Sequence, residues 1–222
     1  MPSRSEIAAR IVDLGIVAVV RVPAFDLVQP VCDALVEGGV VALEVTLTVP
    51  EALRALREMN QRFGDKVLLG AGTILNAGQC REAIEAGAQY VITPITKLEV
   101  IGAAHEWDKP VMLGAYTPTE AQQAHEAGAD FIKIFPADTL GPGYMKSLRA
   151  PLPHLRMVPT GGVDLQTAPA FLKAGCAALG VGSSLVSAEI LRQRDWGTLT
   201  AQAKEFVRVV RETRASLAGA KK

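Results

Sequence analysis

The stretch Ala129-Asp130-Phe131-Ile132-Lys133-Ile134-Phe135-Pro136 is apolar almost throughout and carries a single lysine near its middle. Such a run is typical of a short strand that is covered on both faces of its sheet. Lysine is almost never fully buried without a partner, so Lys133 needs an explanation. Two interpretations are open from this stretch alone. The lysine pairs with a nearby acid or reaches the strand end, or it is held as a neutral amine, which is a nucleophile toward carbonyl groups.

The composition indicates a globular protein. The chain has 222 residues, 49% of them hydrophobic, with 23 Lys+Arg against 23 Asp+Glu. This balance favours neither a nucleic-acid partner nor an acidic one. The three cysteines, Cys32, Cys80 and Cys176, form no CxxC pair, so we expect buried thiols in a reducing cytoplasm. The charged, amphipathic start of the chain predicts no signal peptide, and no apolar run is long enough to predict a membrane span.

Helix and strand patterns alternate along the chain after a first helix over Ser3–Leu14. Eight strand patterns are predicted, at Ile16–Arg21, Val40–Thr46, Val67–Leu69, Tyr90–Thr93, Val111–Leu113, the stretch around Lys133, Arg156–Pro159 and Ala177–Val181. A helical pattern follows each of them, at Asp26–Glu37, Pro50–Phe63, Ala77–Ala86, Lys97–Glu106, Pro118–Glu126, Gly143–Leu148, Leu165–Ala174 and Thr198–Arg214.

This alternation predicts an α/β fold with a parallel sheet. Eight units in a chain of this length favour a (β/α)8 TIM barrel with an additional N-terminal helix. We see no linker or change of composition, so the prediction is a single domain over residues 1–222. A doubly wound open sheet is the alternative.

Barrel enzymes carry their active sites at the C-terminal ends of the strands and in the loops that follow. The predicted strands place polar or conformationally permissive residues at those ends, although the strands are otherwise apolar. These residues are Arg21, Glu44, Thr73, Thr93, Pro94, Lys133, Gly161, Gly162, Gly182, Ser183 and Ser184.

Lys133 and Glu44 are the most informative pair, because inward-facing residues on their strands share one cavity. A buried ion pair is the plain interpretation. The functional interpretation is a lysine that attacks a ketone to form a Schiff base, with Glu44 moving protons during the reaction. This chemistry needs no metal. The histidines His105, His125 and His154 fall in predicted helices or a surface loop, so we expect them to be solvated.

Two glycine-containing dipeptides indicate an anion site. Gly161-Gly162 and Gly182-Ser183 follow the last two predicted strands, where barrels commonly bind phosphate through backbone N–H groups. Tight turns are the simpler explanation of these glycines. Arg21 is a candidate clamp for a carboxylate, or a member of an ion pair at the barrel rim. The segment Gly70-Ala71-Gly72-Thr73 lacks the third glycine of a dinucleotide fingerprint, so we expect it to let the backbone approach a ligand, with Thr73 donating a hydrogen bond.

An ordered set of motifs resembles the 2-keto-3-deoxy-6-phosphogluconate (KDPG) aldolase and 4-hydroxy-2-oxoglutarate (KHG) aldolase family. The motifs are Leu43-Glu44-Val45-Thr46-Leu47-Thr48, Gly70-Ala71-Gly72-Thr73, Thr93-Pro94, Phe131-Ile132-Lys133-Ile134-Phe135-Pro136, Pro159-Thr160-Gly161-Gly162-Val163 and Gly180-Val181-Gly182-Ser183. The resemblance covers roughly residues 10–190, and the ordered set is far more specific than any one motif.

The resemblance implies a class I aldolase that cleaves KDPG to pyruvate and glyceraldehyde 3-phosphate, and that could also cleave 4-hydroxy-2-oxoglutarate to pyruvate and glyoxylate. Lys133 would form the Schiff base without a cofactor, and Glu44 would accept and donate protons. Binding roles are implied for the substrate carboxylate at Arg21 and Thr73, for the pocket wall at Pro94 and Phe135, and for phosphate at Thr160, Gly161, Gly162, Gly182 and Ser183. Family members are typically cytoplasmic homotrimers of the Entner–Doudoroff route.

Two further points follow from the resemblance. Some members carry arginine where this chain has Thr48, and Arg21 is expected to take over that contact. Aldolases of the galactonate series share most of these motifs, so 2-keto-3-deoxy-6-phosphogalactonate is an alternative substrate. A phosphate-binding barrel isomerase or synthase, and a ligand-binding barrel with an inert Lys133, are the more remote alternatives.

Overall fold

The computed structural model describes residues 2–219, and its core is a sheet of eight parallel strands. The strands are β1 (Ile16–Val20), β2 (Ala42–Thr46), β3 (Leu68–Gly72), β4 (Tyr90–Ile92), β5 (Val111–Ala115), β6 (Phe131–Ile134), β7 (Met157–Pro159) and β8 (Leu179–Val181). The helices are α1 (Arg4–Leu14), α2 (Val28–Glu37), α3 (Ala52–Phe63), α4 (Ala77–Glu85), α5 (Glu99–His105), α6 (Pro118–Glu126), α7 (Gly141–Arg149), α8 (Ala168–Lys173), α9 (Ala188–Gln193) and α10 (Trp196–Gly219).

The strands follow one another around a barrel in chain order. Strand β1 pairs with β2 on one side and with β8 on the other, and each strand from β2 to β7 pairs with its successor. A bridge between Thr160 and Gly180 links the β7 side to β8 and closes the ring. The (β/α)8 prediction is therefore confirmed. A doubly wound sheet is excluded, because its strand order reverses at a switch point.

The barrel has a separate interior core, which α1 covers at the N-terminal end. Alternate residues of each strand point inward. Near the N-terminal ends of the strands, inward-facing residues pack together with one face of α1. The strand residues of this cluster are Val17, Ala42, Leu68, Tyr90, Ile92, Met112, Phe131, Val158 and Ala178, and the α1 residues are Ile7, Ala8 and Ile11. A capping box between Ser3 and Glu6 begins α1, and Gly15 ends it in the left-handed conformation at φ 72°. The N-terminal end of the barrel is thus apolar and closed.

The same alternation places polar side chains in the other half of the barrel. Glu44 lies two residues after Ala42 on β2, and Lys133 lies two residues after Phe131 on β6. Both therefore point into the barrel, one layer closer to the C-terminal ends of the strands.

The structure corrects three details of the predicted elements. Strand β3 continues to Gly72, so the glycines belong to the strand and not to a loop. Gly70 leaves space there for the ring of Tyr90, which would lie 2.3 Å from an added Cβ atom. Helix α9 was not predicted, and α10 begins before and ends after the predicted Thr198–Arg214. The single-domain prediction includes Met1 and residues 220–222, which lie outside the described residues.

Candidate active site

Lys133 is buried inside the barrel and faces an acid. Its residue is 4% exposed, and its Nζ lies 3.7 Å from Oε1 of Glu44. The neighbouring position on β5 is Gly114, where the backbone of Pro94 and Ile95 packs in place of a side chain. The ring of Phe135 is 5.2 Å from Nζ, measured to its centroid. Strands β2 and β6 thus bring together the two residues that the sequence singled out.

Glu44 is buried, and its carboxyl group has a perturbed pKa. It is 2% exposed, and its Oε1 accepts no hydrogen bond from any described residue. Burial raises the pKa of Glu44, and the positive charges of Lys133 and Arg21 oppose that rise only in part. A carboxyl group with a raised pKa exchanges protons closer to neutral pH, which is the property that a general acid–base group requires.

A cavity of about 210 Å³ opens above Lys133 at the C-terminal end of the barrel. Its lining contains most of the predicted site residues, namely Arg21, Lys133, Phe135, Thr160, Gly161, Gly162, Gly182 and Ser183. Ser184, which the sequence placed at the end of β8 without a binding role, also lines the cavity, and three further lining residues, Val19, Val163 and Val186, were not predicted. Alternation along β1 could have indicated Val19, which is the inward residue before Arg21.

The remaining predicted residues, Glu44, Thr73 and Pro94, lie outside this described lining. Thr73 directly follows β3 and has a φ of 60°, a left-handed conformation that is unusual for a β-branched residue. Backbone outliers of this kind cluster at ligand sites. Pro94 belongs to the turn after β4, which packs so tightly on β5 that a Cβ atom on Gly114 would lie 2.3 Å from the Pro94 carbonyl carbon.

The loop after β7 has a backbone that requires glycine. Gly161 and Gly162 have φ values of 90° and 68°. A Cβ atom on Gly162 would also lie 2.6 Å from the Cα of Asp138. The hydroxyl of Thr167 donates a 3.0 Å hydrogen bond to the Gly162 carbonyl and fixes the loop. Because neither residue carries a side chain, the backbone itself lines the cavity.

The loop after β8 is less restricted. Gly182 is not among the glycines with positive φ, and an added Cβ atom would meet only the Cβ of Val19, at 3.9 Å. Ser184 donates a short hydrogen bond to the Val163 carbonyl and ties this loop to the one after β7. The two loops therefore form one continuous rim on which small residues expose their backbone.

Arg21 lies directly after β1 and is exposed at the cavity edge. Within residues 2–219, no carboxylate lies within ion-pair distance of its guanidinium. The rim ion pair considered from the sequence is thus not formed there, and the guanidinium is available for an anion. Thr48 occupies the position where some family members carry arginine. Its hydroxyl shares a 2.8 Å hydrogen bond with the buried hydroxyl of Thr46, a contact that the sequence did not indicate.

The histidines lie away from this cavity. His125 and His154 are exposed and stack with ring centroids 4.6 Å apart. His105 corrects the expectation of solvated histidines, because it is half-buried with Nε2 3.3 Å from Asp130, the residue before β6. In the part of the chain that the structure describes, no cluster of three or more His, Cys, Asp or Glu could hold a metal ion. None of the helices described combines the length and the apolar character needed to cross a membrane.

Comparison with known proteins agrees with this geometry. The chain is 37% identical over 180 residues to the 2-dehydro-3-deoxy-6-phosphogalactonate aldolase of Escherichia coli K12, covering 81% of this chain and 86% of that one. It is 34% identical over 195 residues to the KHG/KDPG aldolase of the same organism, covering 86% and 90%. The solved KDPG aldolase of Legionella pneumophila, with pyruvate captured as a covalent carbinolamine, superposes with a TM-score of 0.82 at 28% identity, covering 89% and 96%.

The family model for KDPG and KHG aldolases matches residues 7–202, from the helix that closes the barrel to the start of α10. This match includes every residue placed around the cavity above. The chain therefore belongs to the KDPG and KHG aldolase family.

Proposed function

We propose that this carbon–carbon lyase is a class I aldolase that cleaves KDPG into pyruvate and glyceraldehyde 3-phosphate. The observation that carries the proposal is the buried Lys133, with Nζ 3.7 Å from a carboxylate of raised pKa at the foot of a cavity. The ion pair and the nucleophile that we considered from the sequence are two states of this pair. Transfer of one proton from Lys133 to Glu44 converts the ion pair into a neutral amine and a neutral acid, and the amine is then a nucleophile.

The reaction begins when Glu44 accepts a proton from Lys133 and the resulting neutral amine attacks the C2 ketone. Glu44 then gives that proton to the departing hydroxyl, so that water leaves, an iminium ion remains on Lys133 and Glu44 is again a carboxylate. Glu44 takes the proton of the C4 hydroxyl, and the electrons of the C3–C4 bond move into the iminium. Glyceraldehyde 3-phosphate leaves, and an enamine remains on the lysine. Glu44 then returns its proton to C3, and water hydrolyses the resulting iminium to pyruvate and the free amine. The lysine supplies the electron sink, so this sequence needs no metal or cofactor.

The two ends of the substrate are anions and require separate partners. We assign the carboxylate to Arg21, which forms no ion pair within residues 2–219, and to Thr73 after β3. We assign the phosphate to the rim of Thr160, Gly161 and Gly162 with Gly182 and Ser183. Backbone N–H groups and a guanidinium bind such anions well. We assign Phe135 to an apolar wall of the cavity, and Pro94, whose turn packs on Gly114 beside Lys133, to an apolar wall near its foot.

Borohydride trapping tests the proposal. Reduction in the presence of pyruvate is expected to add one pyruvate-derived group to Lys133, located by peptide mass spectrometry. Lys133→Ala should fold normally, form no adduct and show no cleavage. Lys97→Ala, a lysine in the loop after β4, is the control and should be labelled like the wild type. An intact protein without an adduct would favour a phosphate-binding isomerase or synthase, or an inert ligand-binding barrel.

Two substrate series have to be compared. The relative from Escherichia coli at 37% identity is named for the galactonate substrate, so 2-keto-3-deoxy-6-phosphogalactonate is the alternative. The two sugar acids differ in configuration at C4, next to the bond that breaks. We expect kcat/KM to be higher for KDPG, with slower cleavage of 4-hydroxy-2-oxoglutarate to pyruvate and glyoxylate. A higher value for the galactonate series would reverse the assignment.

We further propose that the enzyme works as a homotrimer in the cytoplasm, in the Entner–Doudoroff route. Four large apolar side chains are exposed near the C-terminal ends of β3 to β5, namely Leu75 (40%), Ile95 (49%), Leu98 (46%) and Tyr116 (40%). Clusters of this kind often mark interfaces between proteins. Light scattering should give three times the monomer mass, and Ile95→Glu should lower it. A monomeric wild-type protein would contradict the assembly and leave the chemistry untouched.

A further inference from the structure

Gly72, the last residue of β3, faces Glu44 inside the barrel. A Cβ atom built on Gly72 would lie 1.8 Å from Oε1, 2.5 Å from Cδ and 2.6 Å from Cγ of Glu44. These are the three nearest atoms, and all belong to the same side chain. Carbon atoms that are not bonded pack at about 3.5–4.0 Å, so no side chain fits there while Glu44 keeps its position.

The backbone gives no reason for a glycine at this position. Gly72 is not among the residues with positive φ, and it lies in a regular strand paired with Thr46 of β2. Glycine inside a strand weakens it, because more backbone entropy is lost and no side chain packs. Gly70 on the same strand differs, since the space above it holds the ring of Tyr90, which belongs to the interior core. At Gly72, by contrast, the three nearest atoms all belong to the side chain of Glu44.

We infer that Gly72 is a positioning residue for Glu44, and that its missing side chain is what allows the carboxylate to reach Lys133. This inference rests on the proposed role of Glu44 in proton transfer. It adds a residue that touches neither the substrate nor the lysine and acts only through Glu44.

The consequence for a Gly72→Ala variant follows from which atoms must move. The clash involves one side chain and no backbone, so the strand is expected to form as before. Glu44 has to leave its rotamer, and the 3.7 Å approach to Lys133 is lost. Lys133 keeps its own surroundings on β6. Conversion of its ammonium group into an iminium ion binds and releases no net proton, so solvent can relay protons in place of Glu44 and the same amount of imine forms at equilibrium.

Two measurements separate these steps. In Gly72→Ala, borohydride trapping of pyruvate on Lys133 should stay within about twofold of the wild type, whereas deuterium exchange of the pyruvate methyl group should slow by about 10²-fold, a typical contribution of general acid–base catalysis. Gly102→Ala in α5 is the matched control, because an added Cβ atom there meets nothing within 4 Å and both rates should be unchanged. Equal losses of imine formation and exchange in Gly72→Ala would overturn the inference.

A double variant shows whether Gly72 acts through Glu44. The exchange rate of Gly72→Ala/Glu44→Gln should match that of Glu44→Gln alone, because a residue that only positions Glu44 has no effect once the carboxylate is gone. Additive losses would refute the inference. An exchange rate of Glu44→Gln equal to that of the wild type would instead refute the proposed role of Glu44.

A stability measurement keeps the inference testable if Gly72→Ala folds poorly. Glu44→Ala removes all three clashing atoms, so the melting temperature of Gly72→Ala/Glu44→Ala should equal or exceed that of Glu44→Ala. The same loss of melting temperature with and without the Glu44 side chain would show that Gly72 serves some other contact.

Discussion

Replacing Lys133 with methionine should make the stability of the protein depend strongly on pH. Methionine is similar in length and apolar, so it keeps the packing and removes the positive charge. That charge opposes the rise in the pKa of Glu44 that burial causes. Without it, the folded-state pKa of Glu44 rises further, and an ionised Glu44 is left buried without a partner.

The sign and the size of the effect follow from linkage. The pKa of Glu44 is higher in the folded than in the unfolded state, where it takes its ordinary value of 4.5, so the folded state binds the proton more tightly. The stabilisation that protonated Glu44 contributes to the variant is therefore fully present below pH 4.5. It is lost as pH rises toward the folded-state pKa, by about 1.4 kcal/mol per pH unit. The total loss of stability is limited to about 3–5 kcal/mol, the usual cost of removing one partner of a buried ion pair. For a chain of this length, that loss lowers Tm by roughly 10 °C.

Thermal unfolding followed by circular dichroism at pH 5 and pH 8 measures the effect. The Tm of Lys133→Met, relative to the wild type, should be about 10 °C lower at pH 8 than at pH 5. Lys133→Met/Glu44→Gln is the control, and its Tm relative to the wild type should change little between the two values. A Lys133→Met variant that is equally stable relative to the wild type at both values, or more stable at pH 8, would refute the reasoning, because Glu44 would then not be ionised in a buried site.

Three further outcomes test other parts of the structure. Gly161→Ala places a side chain on a residue with a φ of 90°, so the variant should lose about 1–3 kcal/mol of stability. Its KM should rise more for phosphorylated substrates than for 4-hydroxy-2-oxoglutarate, and equal changes in KM would argue against a phosphate site. Ile7→Ala in α1 removes a buried side chain and should lower the free energy of unfolding by about 2–5 kcal/mol in urea, while pyruvate trapping on Lys133 persists. Burial raises the pKa of the Cys32 and Cys176 thiols to about 12, so iodoacetamide should label both only after unfolding, and rapid labelling of the native protein would contradict their burial.

The features that the sequence predicted well are those that depend on position along one strand. Alternation alone places Lys133 and Glu44 inside the barrel, because each follows an inward apolar residue by two positions. Glycines after the last two strands predicted a permissive rim, and the positive φ values of Gly161 and Gly162 agree with that prediction. The barrel itself followed from the count of alternating units.

The features that the sequence did not predict depend on how different strands converge. The hydrogen bond between Thr46 and Thr48, the ring of Tyr90 above Gly70, and the carboxylate above Gly72 are set by side-chain directions across neighbouring strands. Alternation along one strand predicts which side chains point into the barrel. It does not predict the register between neighbouring strands, and so not which inward side chains contact each other. The predicted strand therefore stopped at Leu69, before Gly70 and Gly72. Both glycines in fact lie in β3, and the side chains of Tyr90 and Glu44 occupy the space above them.

We propose that the Lys133–Glu44 pair is kept for chemistry and not for stability, because its energetics are unfavourable. Oε1 of Glu44 is buried and accepts no hydrogen bond from the residues described, and leaving such an oxygen without a hydrogen bond costs about 1–3 kcal/mol, and more when it is charged. Replacing a buried ion pair by apolar residues of similar volume is often neutral or stabilising. The strand adds a further cost, because Gly72 weakens β3 only to leave room for that carboxylate. Three unfavourable choices converge on one point in the barrel, at the foot of its cavity. A fold selected for stability alone has no reason to combine them, whereas an aldolase that must share one proton between an amine and an acid requires all three.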